Sequence, residues 1–371
     1  MERPPELPHT RSAILYPILL ALLTVEVTAG IDRPSTGPIW APSRDTSKSI
    51  TIAMVGDLML GSNFPSAANL PPNDARDLLK EAITDLSSAD LTFGNLEGVL
   101  LTVPGPVKKC RDSTVCYAFK SPDHYVNRFL EAGIDVMSTA NNHVGDFGEP
   151  GRANTKRVLS SAGMAFAGLL DKPYEIFRRG STTYGFCAFA PNNGTMPIND
   201  LDRMARLVRH LDSLADIVIV SFHGGAEGTA YGNITRKTEM FLGENRGNPY
   251  AFARRAIDAG ADVVIGHGPH VPRAIDVYKG RFIAYSLGNF ATYGFNTKGP
   301  LGMAPIITVK VNPKGEFVDG RILSYRQEKY SGPKPDSSAG ALNEIKRLTE
   351  TDVPESGLAF ESDGRFYRRK K

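Results

Sequence analysis

The sequence predicts an α/β fold in which central β-sheets are buried beneath helices. From residue 49 onward, short apolar and β-branched runs alternate with helical patterns at the spacing of strand–helix–strand units. The strand-like runs are apolar on both faces, which is typical of strands that are covered on both sides. Of the 371 residues, 41% are hydrophobic, so the chain carries enough apolar side chain to bury a core.

The amino terminus has the pattern of an export signal. Residues 13–25 form an apolar run that is followed by small residues ending at Ala29. We therefore interpret residues 1–29 as a signal peptide that directs the protein to the periplasm or the cell surface. The run is shorter than the ~20 residues that span a bilayer and contains Pro17, so an uncleaved membrane anchor is the weaker alternative. Residues 30–48 are rich in Pro, Ser and Thr without periodicity and are predicted to be a linker.

Residues 49–330 are predicted to form one folded domain with a regular order of elements. Its predicted strands lie in ITIAMVGD (50–57), LTFGNLEG (91–98), IDVMSTANNH (134–143), FAGLL (166–170), TTYGFCAFA (182–190), DIVIVSFHGG (216–225), ADVVIGHGPH (261–270), RFIAYSLGNF (281–290) and APIITVKV (304–311). Its predicted helices lie in DARDLLKEAITDLSSA (74–89), SPDHYVNRFLEAG (121–133), GEPGRANTKRVLSSAG (148–163), DLDRMARLVRHLDSLA (200–215) and PYAFARRAIDAG (249–260). Helices separate the later strands less regularly, which favours a second or mixed sheet. Residues 331–371 are expected to form a short helix and a solvated basic tail.

Charge and cysteine content narrow the classes of function. Lys and Arg number 43 and Asp and Glu number 40, a net charge of +3, and no basic stripe is interleaved with aromatic residues. Nucleic acid is therefore not an expected partner. Cys110 and Cys116 lie in one polar loop, where they either close a small disulfide ring in an oxidising compartment or stay free. Cys187 lies in an apolar run without a cationic neighbour, so we predict a buried and unreactive thiol.

Polar residues able to bind metals or move protons recur at the carboxyl ends of the predicted strands. Open α/β sheets bind their ligands at such ends. Each residue alone is more often a turn or cap residue, but four of the seven histidines lie in this setting. Imidazole, carboxylate and amide oxygen together suit one or two divalent ions, such as Mn²⁺, Fe²⁺ or Zn²⁺. The residues are Asp57, Asn95, Glu97, Asn141, Asn142, His143, His223, His267 and His270.

Six segments that contain these residues resemble the bacterial capsule-synthesis protein CapA family, which is associated with poly-γ-glutamate synthesis. The resemblance extends from about residue 49 to residue 290 and more weakly to about residue 330. The ANNH and YSLGNF blocks are the specific ones. The segments are GDLMLG (56–61), LTFGNLEG (91–98), YAFKSP (117–122), IDVMSTANNHVGDFGEPG (134–151), SFHGGAEG (221–228) and IGHGPHVPRAIDVYKGRFIAYSLGNF (265–290).

The resemblance implies a fold and a set of metal ligands. That family is similar to the calcineurin-like metallophosphoesterases, whose fold is a four-layer α/β/β/α sandwich with a two-metal site between the sheets. It implies that Asp57 binds metal from the first strand. Glu97 stands where those enzymes have a bridging aspartate, and Asn142 matches their amide ligand.

The resemblance also assigns roles to the histidines. His143 matches the histidine that donates a proton or stabilises the transition state, so it is the expected catalytic residue. His223 matches a further metal ligand, and His267 and His270 fall in the last histidine motif. The implied cofactors are one or two divalent metal ions, Mn, Fe, Zn or Mg.

Two departures from the phosphoesterase pattern concern metal ligands. Met59 stands where those enzymes carry a histidine in the first-strand motif, and the two histidines of the last motif are three residues apart instead of two. One metal position is therefore expected to be lost or rebuilt, with Asp146, Glu227 or Asn289 as available substitutes. Each of these three also has an ordinary interpretation as a turn or surface residue. The residues expected beside the ligands are Asn95, Asn141, Glu227 and Asn289.

The sequence and the resemblance together predict an exported, metal-dependent hydrolase-like protein that acts in the synthesis or transport of a capsule polymer such as poly-γ-glutamate. His143 would act as general acid. The expected partners are the anionic polymer or a phosphoester substrate, and components of a membrane-bound synthase. Two alternatives stay open. Met59 and the altered histidine spacing favour a non-catalytic accessory protein that binds polymer or synthase, and the third hypothesis is a general metallophosphodiesterase.

Overall fold

The structure, a computed structural model, describes residues 49–109 and 117–369. These ranges contain six α-helices and 21 β-strands. The predicted signal peptide, the predicted linker, and Cys110 with Cys116 lie outside the described residues. Among the helices that are described, none combines the length and the apolar character needed to cross a membrane.

Each predicted strand is present in the predicted order, and so is each predicted helix apart from the one at residues 74–89. The α-helices are α1 Ile83–Leu86, α2 Val126–Glu131, α3 Gly148–Ser161, α4 Leu201–Asp212, α5 Pro249–Asp258 and α6 Gly340–Asp352. The strands are β1 Ile50–Met59, β2 Leu91–Leu96, β3 Val99–Leu100, β4 Lys120–Ser121, β5 Val136–Ser138, β6 Ala165–Ala167, β7 Tyr174–Arg179, β8 Thr182–Phe189, β9 Ile217–His223, β10 Met240–Phe241, β11 Glu244–Asn245, β12 Val263–His267, β13 Ile275–Tyr278, β14 Arg281–Ala284, β15 Asn289–Thr292, β16 Ile306–Val311, β17 Phe317–Leu323, β18 Tyr325–Arg326, β19 Lys334–Pro335, β20 Leu358–Phe360 and β21 Arg365–Arg368. Short 3₁₀ helices lie at Ala67–Asn69, Pro72–Ala75, Lys80–Ala82, Asp123–Tyr125, Thr229–Tyr231, Gly299–Gly302 and Pro354–Ser356.

Two large mixed sheets form the centre of the fold. The first has nine strands in the order β20, β21, β17, β16, β1, β2, β5 and β6, with β15 pairing in parallel with the end of β1. The second has six strands in the order β13, β14, β12, β9, β8 and β7. β1 and β2 are parallel neighbours in the first sheet, and β9 and β12 are parallel neighbours in the second. The predicted polar site residues lie at or near the carboxyl ends of these four strands. The α/β class and the second mixed sheet are confirmed.

Three apolar clusters separate the layers of the molecule. The cluster between the two sheets includes Ile52, Phe93, Phe186, Ile219 and Ile265. The cluster between the first sheet and helices α1 to α3 includes Val55, Leu86, Val126, Phe129 and Leu159. The cluster between the second sheet and helices α4 and α5 includes Val208, Leu211, Val220, Phe252 and Val264. Burying apolar side chains on both faces of each sheet produces the four-layer α/β/β/α sandwich, which confirms the predicted architecture.

Local signals explain where α4 and α5 begin. The Asp200 side chain accepts a hydrogen bond from the Arg203 N–H at 2.9 Å, which caps α4. The Asn248 side chain caps α5 in the same way, accepting from the Ala251 N–H at 3.0 Å, and Pro249 occupies the first helical position. Both helices follow the amphipathic pattern that predicts them and bury one face against the second sheet.

The helix predicted at residues 74–89 is mostly absent. Its pattern is helical, but Asn73, Asp74 and Ala75 have φ values of 52°, 57° and 60°, which no right-handed helix contains. The α-helical part is confined to Ile83–Leu86, after a short 3₁₀ turn at Lys80–Ala82. The prediction of one long helix was therefore wrong.

The carboxyl-terminal segment differs from the expected helix and solvated tail. The helix is present as α6, but the residues after it form β20 and β21, which lie at the edge of the nine-stranded sheet. β21 pairs with β17, and Phe366 in its centre is fully buried, with its ring centroid 5.6 Å from that of Phe317 and 5.9 Å from that of Phe282. This segment completes a sheet because its apolar residue finds partners that are distant in the sequence.

Candidate functional site

Four of the predicted polar residues meet at one end of the sandwich. Asp57 lies near the end of β1, and Glu97 directly follows β2 in the same sheet. His223 and His267 are the last residues of β9 and β12, which pair in register in the second sheet. Asp57 Oδ1 lies 3.4 Å from His267 Nδ1, and Glu97 Oε1 lies 3.6 Å from His223 Nε2. The carboxyl ends of strands from both sheets therefore share one buried cluster, as the rule for open α/β sheets predicts.

Asp57 lies between two histidines. Its Oδ2 is 2.8 Å from His270 Nδ1, a hydrogen bond that adds to the contact with His267. Burial opposes ionisation of Asp57, but the hydrogen bond from His270 and the positive charges of His270 and His267 outweigh it and hold the pKa of Asp57 well below its usual range. Burial also lowers the pKa of His270, but the hydrogen bond and charge of Asp57 raise it to about 10. Asp57 and His270 therefore form a charged pair at neutral pH.

The unusual spacing of the last histidine motif brings both histidines to the same carboxylate. Gly268 and His270 have φ values of 117° and 58°, so the chain turns back on itself between His267 and His270. A Cβ atom at Gly268 would lie 2.8 Å from the backbone nitrogen of Gly224, and glycine is therefore required at this position. The three-residue spacing thus places the Nδ1 atoms of His267 and His270 in contact with the Asp57 carboxylate.

Glu97 is fully buried, and one of its two carboxylate oxygens has no hydrogen bond. Oε2 accepts a hydrogen bond from Asn95 Nδ2 at 2.7 Å. Oε1 has no hydrogen-bond partner among the described residues, and it lies 3.6 Å from His223 Nε2 and 3.8 Å from His143 Nε2. Burial raises the pKa of Glu97, but the nearby histidines, His223 above all, lower it by more. The pKa of Glu97 therefore lies below its ordinary value. Glu97 thus presents a negatively charged oxygen to two imidazole rings.

Asn95 and Asn141, predicted beside the ligands, connect the two carboxylates to the backbone. Asn95 Nδ2 donates to Asp57 Oδ1 at 2.8 Å as well as to Glu97. Asn141 Nδ2 donates to Asn95 Oδ1 at 3.2 Å and to the Leu96 carbonyl at 2.6 Å. Both asparagines are fully buried, so their hydrogen bonds fix the spacing of the carboxylates.

His143 is oriented by Asp146. Its Nδ1 lies 2.8 Å from Asp146 Oδ2, which also accepts a hydrogen bond from the Phe119 N–H at 2.7 Å. The other Asp146 oxygen lies 2.5 Å from Lys108 Nζ. The phenyl ring of Phe119 packs on the imidazole, with centroids 4.4 Å apart. Asp146 was an expected substitute metal ligand, but the structure places it beside Nδ1 of His143, whereas Glu97 lies near Nε2 of the same ring.

Glu227, Asn289 and Asn142 lie in three different settings. Glu227 Oε2 is 4.0 Å from His270 Nε2, and its Oε1 pairs with Arg246 Nη2 at 2.8 Å. Asn289 is the register partner of Asp57 across β1 and β15, and its Oδ1 is buried without a hydrogen-bond partner within the described ranges. The side chain of Asn142 is half-buried, with Oδ1 likewise unpaired there.

The cluster fits a divalent cation in its chemistry. Neither ring nitrogen of His223 or His267 has a hydrogen-bond partner in the part of the chain that the structure describes, although both rings are fully buried. Buried polar atoms are normally paired, so unpaired imidazole nitrogens beside carboxylates indicate a cation site. In residues 49–109 and 117–369, no three His, Cys, Asp or Glu side chains are arranged so that they could hold one metal ion without moving.

Sequence reasoning missed the buried ion pair that holds the loop after β9. Arg273 is fully buried, and its guanidinium donates to the two carboxylate oxygens of Glu239 at 3.0 and 2.9 Å. Arg273 Nε also donates to the Tyr231 carbonyl at 2.9 Å, and Glu239 Oε2 accepts from the Ala226 N–H at 2.8 Å. This pair fixes the loop that carries Glu227. Its members are 34 residues apart, and no local pattern connects them.

Comparison with known proteins gives matches over most of the chain. The family model described as bacterial capsule synthesis protein PGA_cap matches residues 51–293. The chain is 25% identical over 370 residues to the capsule biosynthesis protein CapA of Bacillus anthracis, covering 94% of this chain and 84% of that protein. It is 27% identical over 295 residues to the PGA biosynthesis protein CapA of Bacillus subtilis (strain 168), covering 75% of this chain and 71% of that protein.

Two solved structures align with most of this chain. A hypothetical protein from Thermus thermophilus aligns with a TM-score of 0.45 and 17% identity, covering 75% of this chain and 100% of that chain. The 5'-nucleotidase precursor from the same organism aligns with a TM-score of 0.43 and 12% identity, covering 85% of this chain and 61% of that chain.

Proposed function

Because the chain belongs to the bacterial capsule synthesis protein family PGA_cap, we propose that it acts in the synthesis or transport of an anionic capsule polymer such as poly-γ-glutamate. The family match confirms the resemblance that the sequence motifs indicate, and the matched residues 51–293 include every predicted site residue. We further propose that the protein is exported to the periplasm or the cell surface, since residues 13–25 have the pattern of a signal peptide. An uncleaved segment that anchors the protein is the alternative.

The observation that supports a metal-dependent, hydrolase-like site is the convergence of buried carboxylates and unpaired imidazoles from two sheets. A divalent ion, Mn, Fe, Zn or Mg, would supply Lewis-acid neutralisation of negative charge on a phosphoester or polymer substrate. The residues proposed to hold it are Asp57, Glu97, Asn142, His223, His267 and His270.

His143 is the proposed general acid. Because the Asp146 carboxylate accepts at Nδ1, that nitrogen carries a proton and Nε2 is the atom that faces the site. In the imidazolium form Nε2 carries a second proton, and because Nε2 lies 3.8 Å from Glu97 Oε1 it can donate that proton to a leaving group at the carboxylate cluster. Asp146 and Lys108 fix the ring by charge and hydrogen bonding, so the chain itself determines which nitrogen acts.

Metal analysis tests this proposal. After dialysis against Mn²⁺ we expect the folded wild-type protein to retain about one to two ions per chain. We expect His223→Ala to lose them because it removes an imidazole that faces Glu97. His210→Ala, on the exposed side of α4, is the matched control and should retain the metal. A folded wild-type protein without bound metal would contradict the metal-dependent site.

A second candidate is a non-catalytic accessory protein that binds polymer or a membrane-bound synthase. The departure at Met59 favours it: the Met59 sulfur accepts a hydrogen bond from the Gly61 N–H at 3.3 Å, at the position where the phosphoesterase pattern has a histidine ligand. A relative in Mycobacterium tuberculosis, described as a probable polyglutamine synthesis accessory protein, is 28% identical over 234 residues. Complementation of a capsule-deficient strain by a His143→Ala variant would favour this candidate, whereas failure of the folded variant would favour chemistry.

A further inference from the structure

The side-chain amide of Asn95 lies between the two carboxylates of the site. Its Nδ2 is 2.8 Å from Asp57 Oδ1 and 2.7 Å from Glu97 Oε2. A nitrogen this close to one oxygen of each carboxylate occupies the position from which a cation would bridge them. An amide NH₂ group only donates hydrogen bonds, so it cannot itself be a metal ligand.

The backbone fixes this orientation of Asn95. Asn141 contacts the Leu96 carbonyl at 2.6 Å and the His143 N–H at 3.0 Å. A carbonyl only accepts and an N–H only donates, so Nδ2 of Asn141 must face Leu96 and Oδ1 must face His143. Nδ2 of Asn141 then donates its second hydrogen to Asn95 Oδ1, which leaves Asn95 Nδ2 directed at the carboxylates. The amide cannot rotate to offer its oxygen without breaking this chain of hydrogen bonds.

Asp57 and Glu97 differ in whether one of their carboxylate oxygens is left without a hydrogen bond. Asp57 has both oxygens hydrogen-bonded, Oδ1 by Asn95 and Oδ2 by His270. Glu97 has Oε2 hydrogen-bonded by Asn95 but leaves Oε1 without a hydrogen bond within the described ranges, 3.6 Å from His223 Nε2. A buried ionised oxygen beside an unpaired imidazole nitrogen is the strongest cation position in the cluster.

We propose that Asn95 limits this centre to a single divalent ion, which Glu97 and His223 would help to hold, because the Asn95 amide fills the position of a bridging cation between Asp57 and Glu97. The inference rests on the proposed metal-dependent function and narrows it from one or two ions to one. The two N–H donors of Asn95 reduce the repulsion between neighbouring carboxylates that a second ion would otherwise neutralise. Asn95 is therefore a determinant of how many ions the site accepts.

Asn95→Asp tests the inference, since it places a carboxylate oxygen where the donor nitrogen lies. By titration calorimetry with Mn²⁺ and by metal analysis after dialysis, we expect about one ion per chain in the wild type and about two in Asn95→Asp. The electron paramagnetic resonance spectrum of Mn²⁺ should show an isolated ion in the wild type and an exchange-coupled pair in the variant. Asn343→Asp adds the same charge on the exposed face of α6 and should bind as the wild type does.

The outcomes separate this inference from the proposed function. Two ions or a coupled pair in the wild type would overturn the inference and leave the proposed function standing. No ion in a folded wild-type protein would overturn the proposed function itself. A folded Asn95→Asp that still binds one ion would overturn the role of Asn95. If circular dichroism shows that Asn95→Asp does not fold, the wild-type ion count and spectrum decide the question alone.

Discussion

Burial raises the pKa of Asp262 by more than a neighbouring positive charge lowers it. The side chain is 5% exposed, its Oδ2 accepts from the Val218 N–H at 2.8 Å, and its Oδ1 lies 3.1 Å from Arg281 Nε. Burial nevertheless raises its pKa from the ordinary 3.8 to about 7. The folded protein therefore keeps a proton on Asp262 over a pH range in which the unfolded chain has released it.

This shift predicts a pH-dependent contribution to stability. Because the folded pKa of Asp262 is raised, its contribution is fully present below about pH 4 and is lost as the pH rises to about 7, by at most about 4 kcal/mol. We expect the free energy of unfolding of the wild type, relative to Asp262→Asn, to fall across this window and to be constant above it. Urea denaturation at a series of pH values measures this, with Asp319→Asn as an exposed control. A difference independent of pH would contradict the prediction.

Single residues also show what could be predicted of the site. Asp57, Glu97, His223 and His267 were predicted as neighbours because each lies at or near the end of a buried strand, and such ends meet at one edge of a sheet. The structure brings them together. The role of Asp146 was not predicted, because a carboxylate near a histidine in the sequence contacts either the metal side or the far side of the ring, and only the tertiary structure selects one.

At the scale of elements, the loop after β9 depends on a buried ion pair. Removing Arg273 leaves Glu239 charged and buried, so we expect Arg273→Ala to lower the free energy of unfolding by about 3 to 5 kcal/mol. The control is Arg347→Ala on α6, which breaks a solvent-exposed pair with Glu344 and should cost less than about 1 kcal/mol. Denaturant titration of both variants measures the two values. Equal losses would show that the buried pair does not hold the loop.

Elements were predicted where the signal is local. β2 and β9 are buried along their whole length, and their apolar runs identify them directly. The helical pattern of residues 74–89 fails because residues 73–75 have positive φ values, and the Asp74 side chain contacts His124, 50 residues away in the sequence. β20 and β21 were not predicted, since β21 becomes a strand by pairing with β17, which is distant in the sequence, and β20 becomes one by pairing with β21.

At the scale of the whole molecule, β21 makes the carboxyl-terminal segment part of the core. Phe366 is fully buried among Phe282, Phe317 and Phe360, so we expect Phe366→Ala to cost about 3 to 5 kcal/mol in the free energy of unfolding. Tyr367→Ala changes the neighbouring residue, which is 43% exposed, and should cost less than about 1 kcal/mol. Thermal or denaturant unfolding compares the two. A small effect of Phe366→Ala would mean that the segment is dispensable for the core.

The candidate site also joins the two halves of the sandwich. Asp57 and Glu97 belong to the nine-stranded sheet, whereas His223 and His267 belong to the six-stranded sheet. The unfolded chain cannot bring all four together, so an ion shared by the sheets would bind the native state alone. At a hundredfold excess over the dissociation constant, such binding adds about 2.7 kcal/mol to stability. The melting temperature of this protein would then rise with the concentration of that cation in its surroundings.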